Sequence, residues 1–194
     1  MIAIIDYNAG NATSLSNVLT KMGYLCEITN DKDKIKTAEK VIFPGVGEAS
    51  TAMKFLKSKN LDELIKNLKQ PFLGICLGMQ LMCNHSEEGD TDCLGIFDCS
   101  VRLFPANEIV PHNGWNNIYP KSPELFENIQ SNQDVYFIHS YYAEQCANTA
   151  ALCDYILPFS AALQKDNFYG TQFHPEKSGL VGQIILQNFL RLTV

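Results

Sequence analysis

The sequence predicts an α/β fold: a mainly parallel central sheet flanked by helices, with a more antiparallel extension in the C-terminal half. Up to about residue 84, short apolar segments alternate with amphipathic helical segments, which is typical of βαβ units. From Gly95 to Phe173 the helical patterns stop, and short apolar segments are separated by Asn, Asp, Pro and Ser. No linker or repeat divides the chain, so we expect a single domain over residues 1–194.

In the first half, strands are predicted where apolar residues are nearly continuous, because strands of a parallel sheet are buried on both faces. These strands are Met1–Tyr7, Tyr24–Thr29, Lys40–Phe43 and Gln70–Ile75. Helices are predicted where apolar residues recur every three or four positions. These helices are Asn11–Met22, Gly47–Lys57, Leu61–Leu68, Gly78–Asn84 and, closing the chain, Ser178–Leu192. Asn11 is expected to cap the first helix with its side chain, and Gly23 to end it.

Six short strands are predicted in the second half, each bounded by turn-forming residues. They are Cys99–Phe104, Gly114–Tyr119, Val135–His139, Ala150–Ile156, Ala161–Gln164 and Phe168–Phe173. Since no helices separate them, we expect these strands to pair mainly antiparallel.

Composition excludes several classes of function. The net charge is −6 with no block of basic residues, which argues against nucleic-acid binding. The longest strongly apolar run, Pro71–Met82, is about half the length needed to cross a bilayer, so no membrane association is expected. The start of the chain lacks a basic segment and meets Asp6 early, which is unlike a signal peptide, so we expect a cytoplasmic protein.

Cysteine usage predicts neither a disulfide framework nor a metal site. The chain has seven cysteines, an odd number, and no C-x-x-C pair. Most are expected to be small buried core residues. No metal and no organic cofactor are expected.

One cysteine has a local sequence that predicts a nucleophile. Cys76 lies where a buried strand ends and a helix begins, flanked by Gly74 and Gly78. Such a turn is tight and strained, which requires small flanking residues. The start of a helix favours the thiolate form of a cysteine, and the N–H of Leu77 is placed to bind an oxyanion. A buried structural cysteine before a glycine turn is the alternative.

A second motif, His174-Pro175-Glu176, predicts a base with its own orienting carboxylate. Pro175 favours an extended conformation at His174, and residues two apart on an extended chain point the same way. We therefore expect Glu176 to hold the His174 imidazole, as in the triads of acyl-transfer enzymes. The remaining histidines, His85, His112 and His139, lack such a partner and are interpreted as structural.

Five segments with these motifs at their centre occur in a fixed order along the chain. They read Pro44-Gly45-Val46-Gly47, Gly74-Ile75-Cys76-Leu77-Gly78-Met79-Gln80, Pro111-His112-Asn113-Gly114-Trp115-Asn116, His139-Ser140-Tyr141 and His174-Pro175-Glu176-Lys177-Ser178-Gly179. Together with Asp6-Tyr7 and the final helix, they span essentially the whole chain. The sequence thereby resembles the class I glutamine amidotransferase family, and within it the glutaminase subunits of imidazole glycerol phosphate synthases.

The resemblance implies a flavodoxin-like fold and a defined chemistry. Cys76 would attack the side-chain amide of glutamine, His174 would shuttle protons, and Glu176 would orient His174. Val46 and Leu77 would supply the N–H groups of the oxyanion hole. The positions that match glutamine-binding residues of the family are Gly47, Gln80, Glu88, Ser140 and Tyr141.

The resemblance also implies a partner. Trp115 and Lys177 match positions that face a (β/α)8-barrel synthase (cyclase) subunit, which receives the ammonia within a heterodimer and makes imidazole glycerol phosphate and AICAR in histidine biosynthesis. Without the family match, the Pro-Gly-x-Gly segment would be interpreted as a turn, and Gln80 and Glu88 as a solvated helix face and a loop.

Several positions depart from the family pattern and leave the ammonia acceptor open. They are Asn8-Ala9, Val110 and Asn113, whereas Asn117 and the acidic segment Glu87-Glu88-Gly89-Asp90 give no decision. One alternative is a paralogous glutaminase whose barrel partner forms an amidino group on a surface sugar. Another is a non-catalytic regulatory module, which the presence of Cys76, His174 and Glu176 argues against.

Overall fold

The computed structural model describes residues 1–7, 10–106 and 108–193. The departure from the family pattern at Asn8-Ala9 therefore lies outside the described residues. The helices are α1 (Ala12–Lys21), α2 (Lys32–Thr37), α3 (Ala49–Ser58), α4 (Leu61–Lys66), α5 (Leu77–Gln80) and α6 (Gly179–Arg191), with a 3-10 helix at Pro175–Lys177. The strands are β1 (Ile2–Ile5), β2 (Cys26–Thr29), β3 (Lys40–Phe43), β4 (Phe72–Ile75), β5 (His85–Ser86), β6 (Thr91–Asp92), β7 (Ser100–Leu103), β8 (His112–Pro120), β9 (Gln133–His139), β10 (Tyr141–Ala143), β11 (Thr149–Tyr155), β12 (Leu157–Lys165) and β13 (Phe168–Thr171).

A nine-stranded sheet forms the centre of the fold, in the order β2-β1-β3-β4-β13-β12-β11-β8-β9. The strands from β2 to β13 in that order are parallel, and those from β13 to β9 pair antiparallel. The predicted mainly parallel sheet with an antiparallel C-terminal extension is confirmed. Because β13 runs parallel beside β4, the chain after β13 emerges next to the chain after β4. This topology brings the His174 and Cys76 segments to the same edge of the sheet.

A second sheet of four strands, in the order β10-β7-β5-β6, was not predicted in full. Its strands β5 and β6 have two residues each, too few to show a periodic pattern in the sequence. Its first strands, β5 and β6, follow α5 and lie on either side of Glu88 in the sequence, and its last strand, β10, begins at Tyr141.

Helices cover both faces of the large sheet. On one face, α1 and α6 pack through fully buried side chains such as Leu15, Leu19 and Phe189. On the other face, α3 and α4 contribute Leu56 and Ile65, also fully buried. Burying one such side chain stabilises the fold by about 1.5–3 kcal/mol. Both faces of the parallel strands are thus covered, as their apolar sequences predicted.

The sequence prediction missed α2 and was wrong about the side-chain cap of α1. Four of the six α2 residues are charged, Ile35 is its one buried residue, and the side chain of Asp31 caps it. Asn11 precedes α1 in a left-handed conformation with φ 83°, and its side chain makes no capping hydrogen bond. Gly23, with φ +88°, follows the helix as predicted. Across the described ranges, no helix is long and apolar enough to cross a membrane.

Candidate active site

Cys76 lies at a sharp turn between β4 and α5. Its backbone has φ 54° and ψ −112°, a conformation that L-residues rarely adopt, and its N–H donates to the Thr171 carbonyl at 2.7 Å. A side chain at Gly78 would place Cβ 1.9 Å from the Phe43 carbonyl oxygen. A Cβ at Gly74 would lie 2.8 Å from the backbone of Gly78. The predicted strained turn is present, and its flanking glycines are required by close backbone contacts.

His174 is held once through its backbone and once through its imidazole. The His174 N–H donates to the Tyr136 carbonyl at 2.9 Å, and Nδ1 lies 2.8 Å from Glu176 Oε1. His174 is extended, as expected, but Pro175–Lys177 forms a 3-10 helix, so the expected extended chain through Glu176 was wrong. The contact forms because this helical turn places the Glu176 carboxylate next to Nδ1 of His174.

Asn11 is a site residue that the sequence prediction misassigned as a helix cap. Its Nδ2 donates to Glu176 Oε1, the same oxygen that faces His174 Nδ1. With Nδ1 donating its proton to Glu176, the second nitrogen, Nε2, is the one free to exchange a proton. Within the described residues, Nε2 of His174 has no hydrogen-bond partner. Catalytic hydrogen bonds are often incomplete before substrate is bound.

The pKa shifts of His174 and Glu176 favour the charged form of this buried pair. Burial lowers the pKa of His174, but its interactions with Cys76 and with the Glu176 carboxylate raise it, and the balance puts this pKa at about 10. Burial raises the pKa of Glu176, while the neighbouring His174 and Asn11 lower it, with a net lowering.

A cavity of about 280 Å³ opens on the side of Cys76 facing α5 and the second sheet. Every residue predicted from the resemblance to bind glutamine or its oxyanion lines it: Val46, Gly47, Leu77, Gln80, Glu88, Ser140 and Tyr141. Two further residues, Ile138 and His139, also line it and were not predicted to do so. The volume is at the lower end for a small-molecule site and suits a substrate of amino-acid size.

Glu88 is the acidic group of this cavity. Its Oε2 accepts a hydrogen bond from the Ala49 N–H at 2.8 Å, at the start of α3. Burial and the neighbouring Glu48 raise the pKa of Glu88, which the Ala49 N–H partly opposes. A half-buried carboxylate at the mouth of a cavity is a suitable partner for an ammonium group.

His112 and His139 form a buried neutral pair, of which His139 lines the cavity. His139 Nδ1 lies 2.7 Å from the Tyr141 carbonyl, which only accepts, so this nitrogen carries the proton. His139 Nε2 then accepts from His112 Nδ1 at 3.1 Å, and His112 Nε2 accepts from Asn116 at 3.3 Å. Burial lowers the pKa of His112 to about 4 and that of His139 to about 3. Their contacts agree with the structural interpretation made from sequence.

The two residues predicted to face a partner lie on one exposed surface next to His174. Trp115 is 57% exposed and packs edge-on against Tyr136, with ring centroids 6.0 Å apart. Lys177 Nζ lies 5.9 Å from the centre of the same Tyr136 ring. The Tyr136 hydroxyl donates to Asn113, one of the positions that depart from the family pattern. This Trp115–Tyr136–Lys177 surface borders His174 through the bond from the His174 backbone N–H to the Tyr136 carbonyl.

Solved structures of several proteins share the fold. A protein described as part of a GMP synthase from Thermoplasma acidophilum matches with a TM-score of 0.75 and 22% identity, covering 97% of this chain and 91% of that one. The structure of PurLQS from Thermotoga maritima matches with a TM-score of 0.72 and 15% identity, covering 97% and 96%. At these identities the likeness supports the fold alone.

Sequence comparison is more specific. The family model described as glutamine amidotransferase class-I matches residues 3–192. Imidazole glycerol phosphate synthase subunit HisH of Bacteroides thetaiotaomicron is 57% identical over 98% of this chain and 99% of its own length. Subunit HisH 2 of Legionella pneumophila is 45% identical over 99% and 98%. The chain therefore belongs to the class I glutamine amidotransferase family and, within it, to the HisH family of imidazole glycerol phosphate synthase subunits.

Proposed function

We propose that this chain hydrolyses glutamine to glutamate and ammonia at Cys76 and passes the ammonia to a synthase subunit. The observation that carries this proposal is the position of Cys76 between two sets of groups. On one side are His174 and Glu176, joined at 2.8 Å, and on the other is the cavity lined by the predicted glutamine-binding residues. A nucleophile, a base with an orienting carboxylate and a substrate cavity are the parts that amide hydrolysis needs.

The reaction follows from these positions. Cys76 Sγ attacks the side-chain carbonyl carbon of glutamine, and the oxygen becomes an oxyanion that the N–H groups of Val46 and Leu77 stabilise. Protonated His174 gives its proton to the leaving nitrogen, so ammonia departs and a glutamyl thioester remains on Cys76. His174 then takes a proton from water, which attacks the thioester and releases glutamate. Glu176 stays ionised and holds the imidazole in place.

The cavity residues divide the binding of glutamine between its two ends. Glu88 faces the cavity as a carboxylate and is the proposed partner of the substrate ammonium group. Gly47, Gln80, Ser140 and Tyr141 complete the lining and are proposed to fix the amino-acid end. This leaves the amide end next to Cys76 and Leu77.

The ammonia acceptor is proposed to be a (β/α)8-barrel synthase subunit that makes imidazole glycerol phosphate and AICAR in histidine biosynthesis, in a cytoplasmic heterodimer. Two HisH relatives that are 57% and 45% identical over nearly their full length are named as subunits of imidazole glycerol phosphate synthase, which supports this acceptor over a surface sugar. The exposed Trp115–Tyr136–Lys177 surface supports docking on the side of His174. Its aromatic and cationic residues are of the kind enriched in protein interfaces.

Activity of the isolated chain is proposed to be low because the peptide at Gly45-Val46 must reorient to offer its N–H to the oxyanion. Gly45 leaves no room for a side chain, since a Cβ there would lie 2.1 Å from the Tyr7 hydroxyl and 2.9 Å from Leu77 Cβ. Gly47, with φ +126°, has the conformational freedom that the reorientation needs.

Glutamate release by the chain mixed with its barrel subunit, with and without the nucleotide acceptor, tests the proposal. We expect strong stimulation by the complete complex and loss of turnover in Cys76→Ala. Cys153→Ala is the matched control, because Cys153 is also buried but lies in β11, away from the cavity. Turnover that persists in Cys76→Ala would refute the mechanism, and failure to form the nucleotide product would refute the acceptor.

A further inference from the structure

Gln172 makes a contact with the nucleophile that the proposed triad does not use. Its side chain is fully buried, and its Nε2 lies 3.6 Å from Cys76 Sγ, within the range of a hydrogen bond to sulfur. Gln172 follows β13 and precedes His174 by two residues. A buried amide of this kind either serves as packing or acts on the atom that it touches.

The orientation of the Gln172 amide follows from its neighbours. Gln80 Nε2 lies 2.9 Å from the Tyr141 carbonyl, which can only accept a hydrogen bond, so Gln80 presents its NH2 group there. The same Nε2 lies 2.9 Å from Gln172 Oε1 and donates its second proton to it. With Oε1 occupied as an acceptor, the NH2 group of Gln172 is the end that faces Cys76. The reverse orientation would set two NH2 groups against each other.

We propose that Gln172 is a further catalytic residue, whose amide N–H stabilises the Cys76 thiolate and fixes Sγ for attack on glutamine. Both amide protons of Gln80 are committed to Tyr141 and Gln172, so Gln80 also positions Gln172, and its Oε1 is the atom left to contact glutamine. The proposal rests on Cys76 being the nucleophile of the proposed function. A hydrogen bond to a charged group contributes enough to change an equilibrium roughly tenfold or more, and a bond to sulfur lies at the lower end of that range.

The burial of this contact makes it effective. Cys76 is 7% exposed and Gln172 is 0% exposed, so water competes little for the sulfur from that side. Two side chains of the same segment interact with Cys76, namely the cation of His174 and the N–H of Gln172. His174 moves protons during the reaction, whereas the Gln172 N–H stays in place and can stabilise the thiolate again when the thioester breaks.

The test is the pH dependence of Cys76 alkylation by iodoacetamide in the full chain, followed by mass spectrometry of the Cys76 peptide. For Gln172→Met, which keeps the length but has no donor, we expect the midpoint of the alkylation curve to rise by about one pH unit. Gln164→Met is the control, because Gln164 is also a hydrogen-bonded glutamine. It lies on β12, and its Oε1 accepts a hydrogen bond from the Ser122 hydroxyl. Its curve should match that of the unaltered chain.

Steady-state kinetics of the complex give the second readout. We expect Gln172→Met to lower kcat about tenfold and to leave the KM for glutamine within twofold, whereas a packing role would change neither the alkylation curve nor kcat. If Gln172→Met does not fold, Gln172→Glu puts an anion next to Sγ and should raise the alkylation midpoint further. An unchanged midpoint in a folded variant overturns the inference. Alkylation needs no glutamine turnover, so failure of the proposed glutaminase activity is detected separately.

Discussion

Backbone strain at Cys76 predicts that glycine, compared with alanine, is more favourable for stability at this position than at an unstrained one. Cys76→Gly and Cys76→Ala both remove the sulfur, but only alanine keeps a Cβ at φ 54° and ψ −112°. Backbone strain of this kind costs of the order of 1–3 kcal/mol. Glycine relieves it, but it also loses the burial of one methyl group and about 0.5–1 kcal/mol of conformational entropy. A reference position is therefore needed to isolate the strain.

Cys153 provides that reference. It is buried like Cys76, but it lies in β11 paired with Phe159 and has an ordinary strand conformation. At Cys153, glycine should be less stable than alanine by the entropy and methyl contributions alone. Subtracting the glycine–alanine difference at Cys153 from that at Cys76 leaves the strain, about 1–3 kcal/mol in favour of glycine at Cys76.

Urea unfolding of the four variants, followed by circular dichroism, measures this double difference. In thermal unfolding it corresponds to about 2–4 °C for each kcal/mol in a chain of this size. A double difference near zero would refute strain at the nucleophile. A larger loss of unfolding free energy in Cys76→Gly than in Cys153→Gly, each measured relative to the alanine variant, would refute the strain at Cys76 more strongly.

Three further predictions concern groups around Cys76. In urea unfolding, the difference in unfolding free energy between the unaltered chain and Glu176→Gln should be greatest between pH 4.5 and 6.5. Because the pKa of His174 is raised, this difference should decrease as the pH rises towards about 10. Because the pKa of Glu176 is lowered, the difference should also decrease below pH 4.5. A pH-independent difference would contradict this coupling. Gly78→Ala should abolish glutamate release and destabilise the chain, because the added Cβ would lie 1.9 Å from the Phe43 carbonyl oxygen. Normal turnover in this variant would contradict the close contact between Gly78 and Phe43. Asn11→Ala should lower kcat about tenfold with KM within twofold, since Glu176 loses a donor; an unchanged kcat would remove Asn11 from the site.

The sequence predicted the parts of the fold and site that depend on local pattern. Continuous apolar segments indicated β1, β3 and β4, and the Gly-x-Cys-x-Gly spacing indicated the turn at Cys76. Local chemistry also placed Glu176 against His174, although through a 3-10 helix instead of an extended chain. These features need few residues to be recognised, because each is set by its immediate neighbours.

Features that depend on distant contacts could not be predicted. Asn11 and His174 are 163 residues apart in sequence, and Gln172 and Cys76 are 96 apart. A helix-capping preference for asparagine therefore took precedence over a contact that only the folded sheet creates. One available signal was overlooked, namely that Gln172 and His174 are two residues apart at the end of a strand and so project to the same side.

Rapid acid quenching of the complex during glutamine turnover, followed by mass spectrometry of the Cys76 peptide, tests the central claim most directly. Nucleophilic attack by Cys76 predicts a peptide carrying the mass of one glutamyl group. The adduct should appear only with glutamine present and be absent in Cys76→Ala. Glutamate release with no adduct on Cys76, together with unchanged turnover in Cys76→Ala, would contradict the account.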